Sequence, residues 1–185
     1  LTSLDVSNNT ALTVLDCHYN QLTSLDLSSN AALTELQFWG NQLTSIDLSS
    51  NTVLTSLHFG GNQLTNLDVS NNTELTYLSC GDNQLTSLDV SNNTALTVLD
   101  CGYNQLTYLN MKNGITDALT TFNATNNYSL ECIETLDPTY ATENWTYADG
   151  NIDEGVIFEV HCIPFIGSVW HVSTTGSDST GNGSE

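Results

Sequence analysis

The chain has 185 residues, of which 21 are aspartate or glutamate and one, Lys112, is basic, so its formal net charge is −20 at pH 7. Because phosphate groups are bound through Lys and Arg, this balance excludes nucleic acid and an anionic membrane surface as partners. Cations, neutral sugars and a basic protein patch remain compatible with the charge. No stretch approaches the roughly 20 consecutive apolar residues of a membrane span, so we expect no membrane insertion.

A 21-residue unit repeats five times between residues 1 and 105, with a leucine opening each copy. Every unit contains two versions of the pattern L-x-x-L-x-(L/V/C/F)-x-x-N. We name them the first phrase (unit positions 1–11) and the second phrase (unit positions 12–21). A sixth, degenerate unit extends the pattern to residue 127. Self-similarity at a fixed period of this length predicts a solenoid.

Apolar and polar residues alternate within each phrase, as they do in a short β-strand. In the first unit, Leu4 and Val6 would point inward while Asp5 points outward. We therefore predict a β-rich solenoid with two short parallel strands in each coil. The asparagines that close the phrases, such as Asn9 and Asn20, are predicted to face inward and to satisfy turn backbone groups that have no strand partner.

Three cysteines occupy one position of the second phrase. Cys17, Cys80 and Cys101 stand where other units have Phe38 and Phe59. A position that accepts either Cys or Phe is an apolar core position, so these residues are predicted to be buried free thiols. A bond between Cys80 and Cys101, which stand in neighbouring coils, remains an alternative.

Residues 128–163 lose the period and are predicted to form a C-terminal cap, because the last coil would otherwise expose its apolar face. Cys132 and Cys162 lie outside the repeats and make a natural disulfide pair, which would imply an oxidising compartment. Asp137 and Pro138 predict a turn, and Trp145 is the predicted plug of the solenoid end. Residues 164–185 contain a short apolar strand and a Gly/Ser-rich tail typical of a linker.

The repeated pattern resembles the leucine-rich repeat, and the nested 21-residue unit resembles the bacterial class called IRREKO. The sequence of the units is similar to secreted and surface proteins of Bacteroidetes and allied marine bacteria. This resemblance implies a leucine-rich-repeat solenoid whose second phrases line the main sheet, with a disulfide-closed C-terminal cap. The segment from Val169 to Asp178 resembles the entry strand of a right-handed parallel β-helix of the pectate-lyase type, which implies a further domain.

The outward positions of the first phrase hardly change from coil to coil, whereas those of the second phrase differ in every coil. A scaffold can repeat itself, but a surface that recognises one ligand cannot, so the second-phrase surface, here named the variable face, is the predicted binding site. Aromatic side chains are preferred interface anchors, and flat rings beside Asp and His also suit sugars. The alternative is that these are unselected surface positions of a drifting repeat. The predicted anchors are Tyr19, Trp39, Tyr77 and Tyr103, and the predicted polar contacts are Asp16, His18, Glu35, His58, Asp82 and Asp100.

An aspartate recurs at unit position 5 and forms what we name the Asp column, comprising Asp5, Asp26, Asp47, Asp68 and Asp89. Adjacent coils should stand about 4.8 Å apart. Like charges at such a distance repel by roughly 1 kcal/mol in water. Hydroxyl and backbone donors, salt or Ca²⁺ would offset this repulsion. We favour a solvated column without a cofactor, with Ca²⁺ binding as the alternative, because the sequence has no D-x-D-x-D-G loop.

No catalytic motif is present: the sequence contains no HExxH, CxxC, G-x-S-x-G or phosphate loop. His18 and His58 belong to different coils and different columns, so neither has an obvious metal partner. Columns of threonine resemble those of ice-binding solenoids, but the Asp column interrupts the flat face. We therefore predict a protein without enzymatic activity.

Together these features predict a monomeric binding or adhesion module that recognises a protein or a glycan through the variable face. The Ser/Thr/Asn/Gly-rich, lysine-poor composition favours a secreted or cell-surface bacterial protein. Its predicted parts are the solenoid at residues 1–127, the cap at 128–163 and the tail at 164–185. The alternative function is that of a substrate-targeting or spacer domain in a larger polysaccharide-acting β-helix enzyme.

Overall fold

The computed structural model describes residues 1–162, which form a parallel β-solenoid of about seven turns with a spacing of about 21 residues. The predicted fold class is therefore confirmed. The strands are β1 (Val14–Asp16), β2 (Glu35–Gln37), β3 (Ser56–His58), β4 (Tyr77–Ser79), β5 (Ser87–Asp89), β6 (Val98–Asp100), β7 (Tyr108–Met111), β8 (Thr121–Asn123), β9 (Cys132–Thr135) and β10 (Ile157–Glu159). A 3₁₀ turn covers Thr116–Ala118, and one α-helix, α1, covers Pro138–Asn144.

The second phrases form a six-stranded parallel sheet in the order β1-β2-β3-β4-β6-β8. Its register follows the repeat, because the central leucine of each strand pairs with the central residue of the next, from Leu15 opposite Leu36 to Leu99 opposite Phe122. Leu36, Leu57, Leu78 and Leu99 are fully buried, and the residues beside them are half-buried. The variable face is thus the outer surface of a regular sheet.

The first phrases form strands only in the fifth and sixth coils, as β5 and β7, and the cap extends this second sheet in the order β10-β9-β7-β5. In the first four coils of the described chain, the strand predicted for the first phrase does not form. Side-chain amides link neighbouring coils on this side of the solenoid. Asn51, for example, donates to the carbonyl oxygens of Leu27 and Asn30 at 3.2 and 2.9 Å.

The two asparagine ladders are not equivalent. In the second-phrase ladder, Asn62 donates to the carbonyl oxygens of Phe38 and Phe59 at 3.1 Å each and accepts the backbone N–H of Leu43 at 3.0 Å. The buried Oδ1 atoms of the first-phrase ladder have no hydrogen-bond partner within residues 1–162, at Asn30, Asn51, Asn72 and Asn93. The asparagines therefore satisfy backbone groups of the turns, as predicted. The second-phrase ladder does so with both its amide nitrogen and its amide oxygen.

The cap closes the end of the solenoid as predicted. Cys132, in β9, is disulfide-bonded to Cys162, with a Cα–Cα distance of 5.8 Å. Trp145 is buried and packs on Phe122 of the last coil and on Phe158 of β10, with ring centroids 4.5 and 5.8 Å apart. The described part of the chain has no helix long and apolar enough to cross a membrane.

The turn predicted at Asp137 and Pro138 is wrong, because this dipeptide begins α1. The Asp137 carboxylate caps the helix by accepting the backbone N–H of Tyr140 at 3.0 Å. Proline at the first helical position needs no hydrogen-bond partner for its nitrogen, so the pair is a good helix start.

The repeat cysteines are buried free thiols, as the sequence predicts. Burial raises the pKa of the Cys17 thiol to about 11, and it also raises the pKa values of the Cys80 and Cys101 thiols. The predicted strand and tail at residues 164–185, including the β-helix resemblance, lie outside the described residues.

Candidate binding face of the solenoid

The sheet arranges the variable face into four parallel columns of side chains. Unit positions 14 and 16 flank the central, inward-facing residue of each strand, and positions 18 and 19 follow where the chain turns. At position 19 the backbone is left-handed, with φ of 49° at Tyr19 and 55° at both Asp82 and Tyr103. This conformation costs a residue other than glycine roughly 1–2 kcal/mol, and the repeat imposes it at each turn.

Three rings from neighbouring coils form an aromatic cluster. The indole of Trp39 stacks on the imidazole of His18, with centroids 4.9 Å apart and planes at 8°. Tyr19 meets the same indole edge to face, with centroids 4.1 Å apart. The carboxylate of Asp16 pairs with the Nδ1 atom of His18, and this hydrogen bond holds the pKa of Asp16 below its ordinary value. The Asp16 contact thus holds the His18 ring, and the Tyr19 contact holds the Trp39 ring.

Glycines leave bare backbone beside this cluster. A Cβ atom on Gly40 would lie 2.6 Å from the Tyr19 ring, and the φ of Gly40 is +69°. A Cβ atom on Gly61 would lie 3.4 Å from the backbone nitrogen of Gly40 and 3.8 Å from Oδ2 of Asp82. The Tyr19 ring thus lies over one glycine and the Asp82 carboxylate faces the other.

These residues enclose an open depression of about 600 Å³ on the variable face. One side is aromatic, the floor is glycine backbone and the opposite side carries a carboxylate. It is lined by Tyr19, Trp39, Gly40, His58, Gly60, Gly61, Ser79 and Asp82. A smaller hollow of about 340 Å³ lies on the first-phrase side, around Asp68 and Asp89.

His58 connects the depression to the next coil. Its imidazole stacks on Tyr77, with centroids 4.3 Å apart and planes at 23°, and its Nε2 atom lies 3.1 Å from the Ser56 hydroxyl. Burial lowers the pKa of His58, although the nearby Glu35 carboxylate opposes the effect.

The structure brings most of the predicted binding residues together. Around the depression or in contact with its lining lie Asp16, His18, Tyr19, Glu35, Trp39, His58, Tyr77 and Asp82. Asp100 and Tyr103 belong to the following coil. Asp100 accepts hydrogen bonds from the Asn123 side chain at 2.9 Å and from the Gly102 backbone at 3.2 Å, while Tyr103 is exposed.

Sequence reasoning missed the parts played by Ser79 and Asn123. Ser79 lines the depression and Asn123 holds the Asp100 carboxylate. Both stand at unit position 16, the same column as Asp16 and His58, so the column itself could have identified them.

The Asp column lies away from the depression, and its first four carboxylates are held mainly by the serines that follow them. Ser7, Ser28, Ser49 and Ser70 each donate a backbone N–H to the preceding aspartate at 2.9 Å. Hydrogen bonds from these serines lower the pKa values of the carboxyl groups at Asp5, Asp26, Asp47 and Asp68. Within residues 1–162 there is no group of three or more His, Cys, Asp or Glu side chains that could hold a metal ion.

The single lysine is engaged at the junction of solenoid and cap. Lys112 makes an ion pair with Glu134 at 2.5 Å, and this contact lowers the pKa of Glu134. Tyr108 donates its hydroxyl to the same carboxylate at 3.3 Å, and the backbone N–H of Cys162 donates to its other oxygen at 3.1 Å. The variable face within the described chain therefore carries carboxylates and rings but no Lys or Arg.

The fold is a parallel β-solenoid with a spacing of about 21 residues. Residues 73–114 match the family model described as leucine rich repeats (2 copies). The functional domain of InlJ from Listeria monocytogenes, described as including a cysteine ladder, is similar to this chain at 36% identity and a TM-score of 0.64. That match covers 77% of this chain and 35% of the InlJ domain.

Two further solved structures are similar. The internalin InlF from Listeria monocytogenes matches at 27% identity and a TM-score of 0.55, over 70% of this chain and 37% of its own. A leucine-rich-repeat protein of Leptospira interrogans shares the fold at 21% identity and a TM-score of 0.59, over 70% of this chain and 40% of its own. The chain thus spans well under half of each of these proteins. No curated protein sequence matches it significantly.

Proposed function

We propose that this chain is a non-catalytic binding module that recognises a protein or glycan ligand through its variable face. The observation that carries the proposal is the depression of about 600 Å³ beside Trp39. Small-ligand sites usually measure about 300–1,000 Å³, and aromatic anchors with a few polar groups are typical of recognition surfaces. The outer surface of the solenoid sheet offers such a site at its centre and a larger contact area around it.

The polar side chains of the depression suit recognition better than chemistry. Asp16 pairs with His18 and His58 stacks on Tyr77, so each imidazole is held by a neighbour within the face. Asp82 is exposed to solvent, where its carboxylate can contribute to ligand contacts. The proposal includes neither a cofactor nor a metal. Screening with and without Ca²⁺ tests whether the Asp column binds that ion.

The proposal is tested by screening the chain against extracellular-matrix proteins and marine and host glycans, with and without Ca²⁺. The wild type is compared with Trp39→Ala/Tyr103→Ala, and with a control on the first-phrase surface, Ser24→Ala/Ser45→Ala. We expect a ligand that is lost in the first variant and kept in the second. A ligand kept by both would place the site elsewhere, and no ligand at all would favour the targeting or spacer domain of a larger enzyme.

We further propose that the protein is monomeric and is secreted or displayed on a bacterial surface. The Cys132–Cys162 disulfide supports this placement, because such bonds persist in oxidising compartments. The nested unit supports assignment to the IRREKO-like class, with a source among Bacteroidetes or allied marine bacteria. Cys17, Cys80 and Cys101 would then be a short, interrupted counterpart of the cysteine ladder described for InlJ.

A further inference from the structure

We propose that the depression beside Trp39 binds an arginine side chain of a basic partner protein, with the guanidinium plane against the indole and its N–H groups directed at the Asp82 carboxylate. The inference rests on the proposed function and names the chemistry of its ligand. It follows from three features of the same site: an aromatic wall, an opposing carboxylate and a bare floor between them.

The aromatic wall offers a preformed surface for a flat cation. Trp39 is half-buried and lines the depression, and the His18 stack and the Tyr19 contact fix the orientation of its indole. A cation within about 6 Å of a ring centroid is attracted by the ring, and Trp is the best of the aromatic side chains for this contact. Guanidinium also stacks on aromatic faces, which an ammonium group does not do.

The opposing carboxylate is available for a ligand. Asp82 is exposed, and its carboxylate has no hydrogen-bond or ion-pair partner within residues 1–162. Its Oδ2 atom lies 3.8 Å from where a Cβ atom on Gly61 would stand, so it faces the floor of the depression. A carboxylate can accept two parallel N–H bonds from one guanidinium, an arrangement that adds geometric specificity.

The glycine floor leaves space between the two walls. Trp39 and Asp82 stand two coils apart, a separation of about 10 Å at the usual strand spacing. Gly60 and Gly61 lie between them, whereas the space above Gly40 is taken by the Tyr19 ring, which lies 2.6 Å from where a Cβ atom would stand. An extended side chain can therefore lie along the backbone and reach both walls.

The charge of the molecule selects a cation over a neutral or acidic ligand. The net charge is −20, and the only basic side chain is paired with Glu134 at the cap. A field of one sign steers ligands of opposite charge and raises their local concentration. A neutral sugar could use the Trp39 ring but would gain nothing from this field, so it is an outcome that the experiment must distinguish.

The experiment is a titration of the ¹⁵N-labelled chain with N-acetyl-arginine amide, followed by NMR. N-acetyl-citrulline amide, which has a similar shape but no charge, and N-acetyl-lysine amide are run in parallel. We expect saturable shifts of the Trp39 indole N–H and the backbone N–H groups of Gly40, Gly60 and Gly61 with arginine, weaker shifts with lysine and none with citrulline. Equal shifts with citrulline, or shifts confined to the Asp column, would overturn the inference.

Two matched variants separate a local contact from overall charge. Asp82→Asn should weaken arginine binding roughly threefold to fivefold, the loss expected for an exposed ion pair. Glu74→Gln removes the same charge from an exposed position of the same repeat unit and should leave the affinity unchanged. Equal weakening by both would show that only the long-range field matters, which would contradict the site.

Failure of the inference can be told apart from failure of the proposed function. If Trp39→Ala/Tyr103→Ala abolishes binding of a ligand from the screen while arginine amide leaves the three glycines unshifted, the face binds a ligand of other chemistry. The proposed function then stands and the arginine site falls. If arginine amide binds at the glycines but no ligand in the screen binds to the variable face, the arginine site stands and the proposed function falls.

Discussion

The imidazole of His18 lies parallel to the indole of Trp39 in the next coil, with ring centroids 4.9 Å apart. His18 is held in turn by the Asp16 carboxylate, so a polar contact in one coil orients an aromatic surface in its neighbour. The repeat makes such contacts between coils possible, because equivalent positions lie side by side in the sheet.

Replacing His18 should loosen this aromatic surface. We expect His18→Ala to lower the free energy of unfolding by roughly 1 kcal/mol, since an aromatic pair contributes about 0.5–1.5 kcal/mol beyond burial. His18→Phe should restore most of the lost free energy of unfolding. Urea denaturation measures both, and equal stability of the alanine variant and the wild type would show that the stack contributes nothing.

The two asparagine ladders should differ in their contribution to stability. Asn62→Ala removes three donated hydrogen bonds, one of them long at 3.4 Å, and leaves the buried backbone N–H of Leu43 without an acceptor. Asn72→Ala removes two donated bonds, and its Oδ1 has no partner to lose. An unsatisfied buried group costs about 1–3 kcal/mol, so Asn62→Ala should be the more destabilising by about that amount. Urea denaturation that ranks the variants in the opposite order would refute the comparison.

The ion pair at the cap should make stability depend on pH. The pKa of Glu134 is lowered in the folded state, chiefly by its hydrogen bond with Lys112, so the pair stabilises the fold above the ordinary value of 4.5. That contribution is lost as the pH falls through the folded-state pKa. The stability difference between the wild type and Lys112→Met should therefore shrink from about pH 6 to about pH 3.

A double variant provides the control for this prediction. Glu134→Gln in the Lys112→Met background removes the carboxylate that would otherwise be left buried without its cation. We expect the double variant to be more stable than Lys112→Met at neutral pH. A constant difference between the wild type and Lys112→Met across the pH range would show that the pair is not electrostatic in its effect.

Breaking the disulfide should destabilise the cap. Cys132 and Cys162 are separated by 30 residues, and closing a loop of that length contributes about 3–4 kcal/mol on the chain-entropy model. In Cys132→Ser/Cys162→Ser we expect faster hydrogen exchange in β9 and β10, with exchange in β2 and β3 unchanged. Uniform acceleration along the whole solenoid would instead mean that the cap and the coils unfold as one unit.

The three repeat cysteines should react slowly and in a fixed order. Cys80 and Cys101 are fully buried, whereas Cys17 is 6% exposed and its thiol has a pKa of about 11. Because the thiolate is the reactive form, alkylation of the folded chain near pH 8 should modify Cys17 first and slowly. Peptide mapping by mass spectrometry gives the order, and early modification of Cys101 would contradict the burial.

The repeat could be predicted from the sequence because one spacing determines both the coils and their register. Leu36 and Leu57 are one period apart, so a parallel pairing that buries one buries the other. The exposure of Tyr19 and Asp82 does not follow from the alternation, because both lie where the chain turns with a positive φ.

Other features could not be predicted because they depend on contacts that the period does not determine. The stack of His18 on Trp39 depends on side-chain rotamers, and the ion pair of Lys112 with Glu134 joins a degenerate unit to the cap, where the repeat no longer gives a register. The restriction of first-phrase strands to the fifth and sixth coils could not be predicted either, because the first phrase has nearly the same pattern in every full unit.

The most direct test of the account compares the two surfaces of the solenoid against one ligand retained in the screen. Affinity is measured by titration calorimetry for the wild type, for Trp39→Ala/Tyr103→Ala on the variable face and for Ser24→Ala/Ser45→Ala on the first-phrase surface. We predict a loss of roughly tenfold or more in the first variant, as expected when anchor residues are truncated, and no change in the second. Equal affinity of the wild type and the variable-face variant would contradict the claim that this face recognises the ligand.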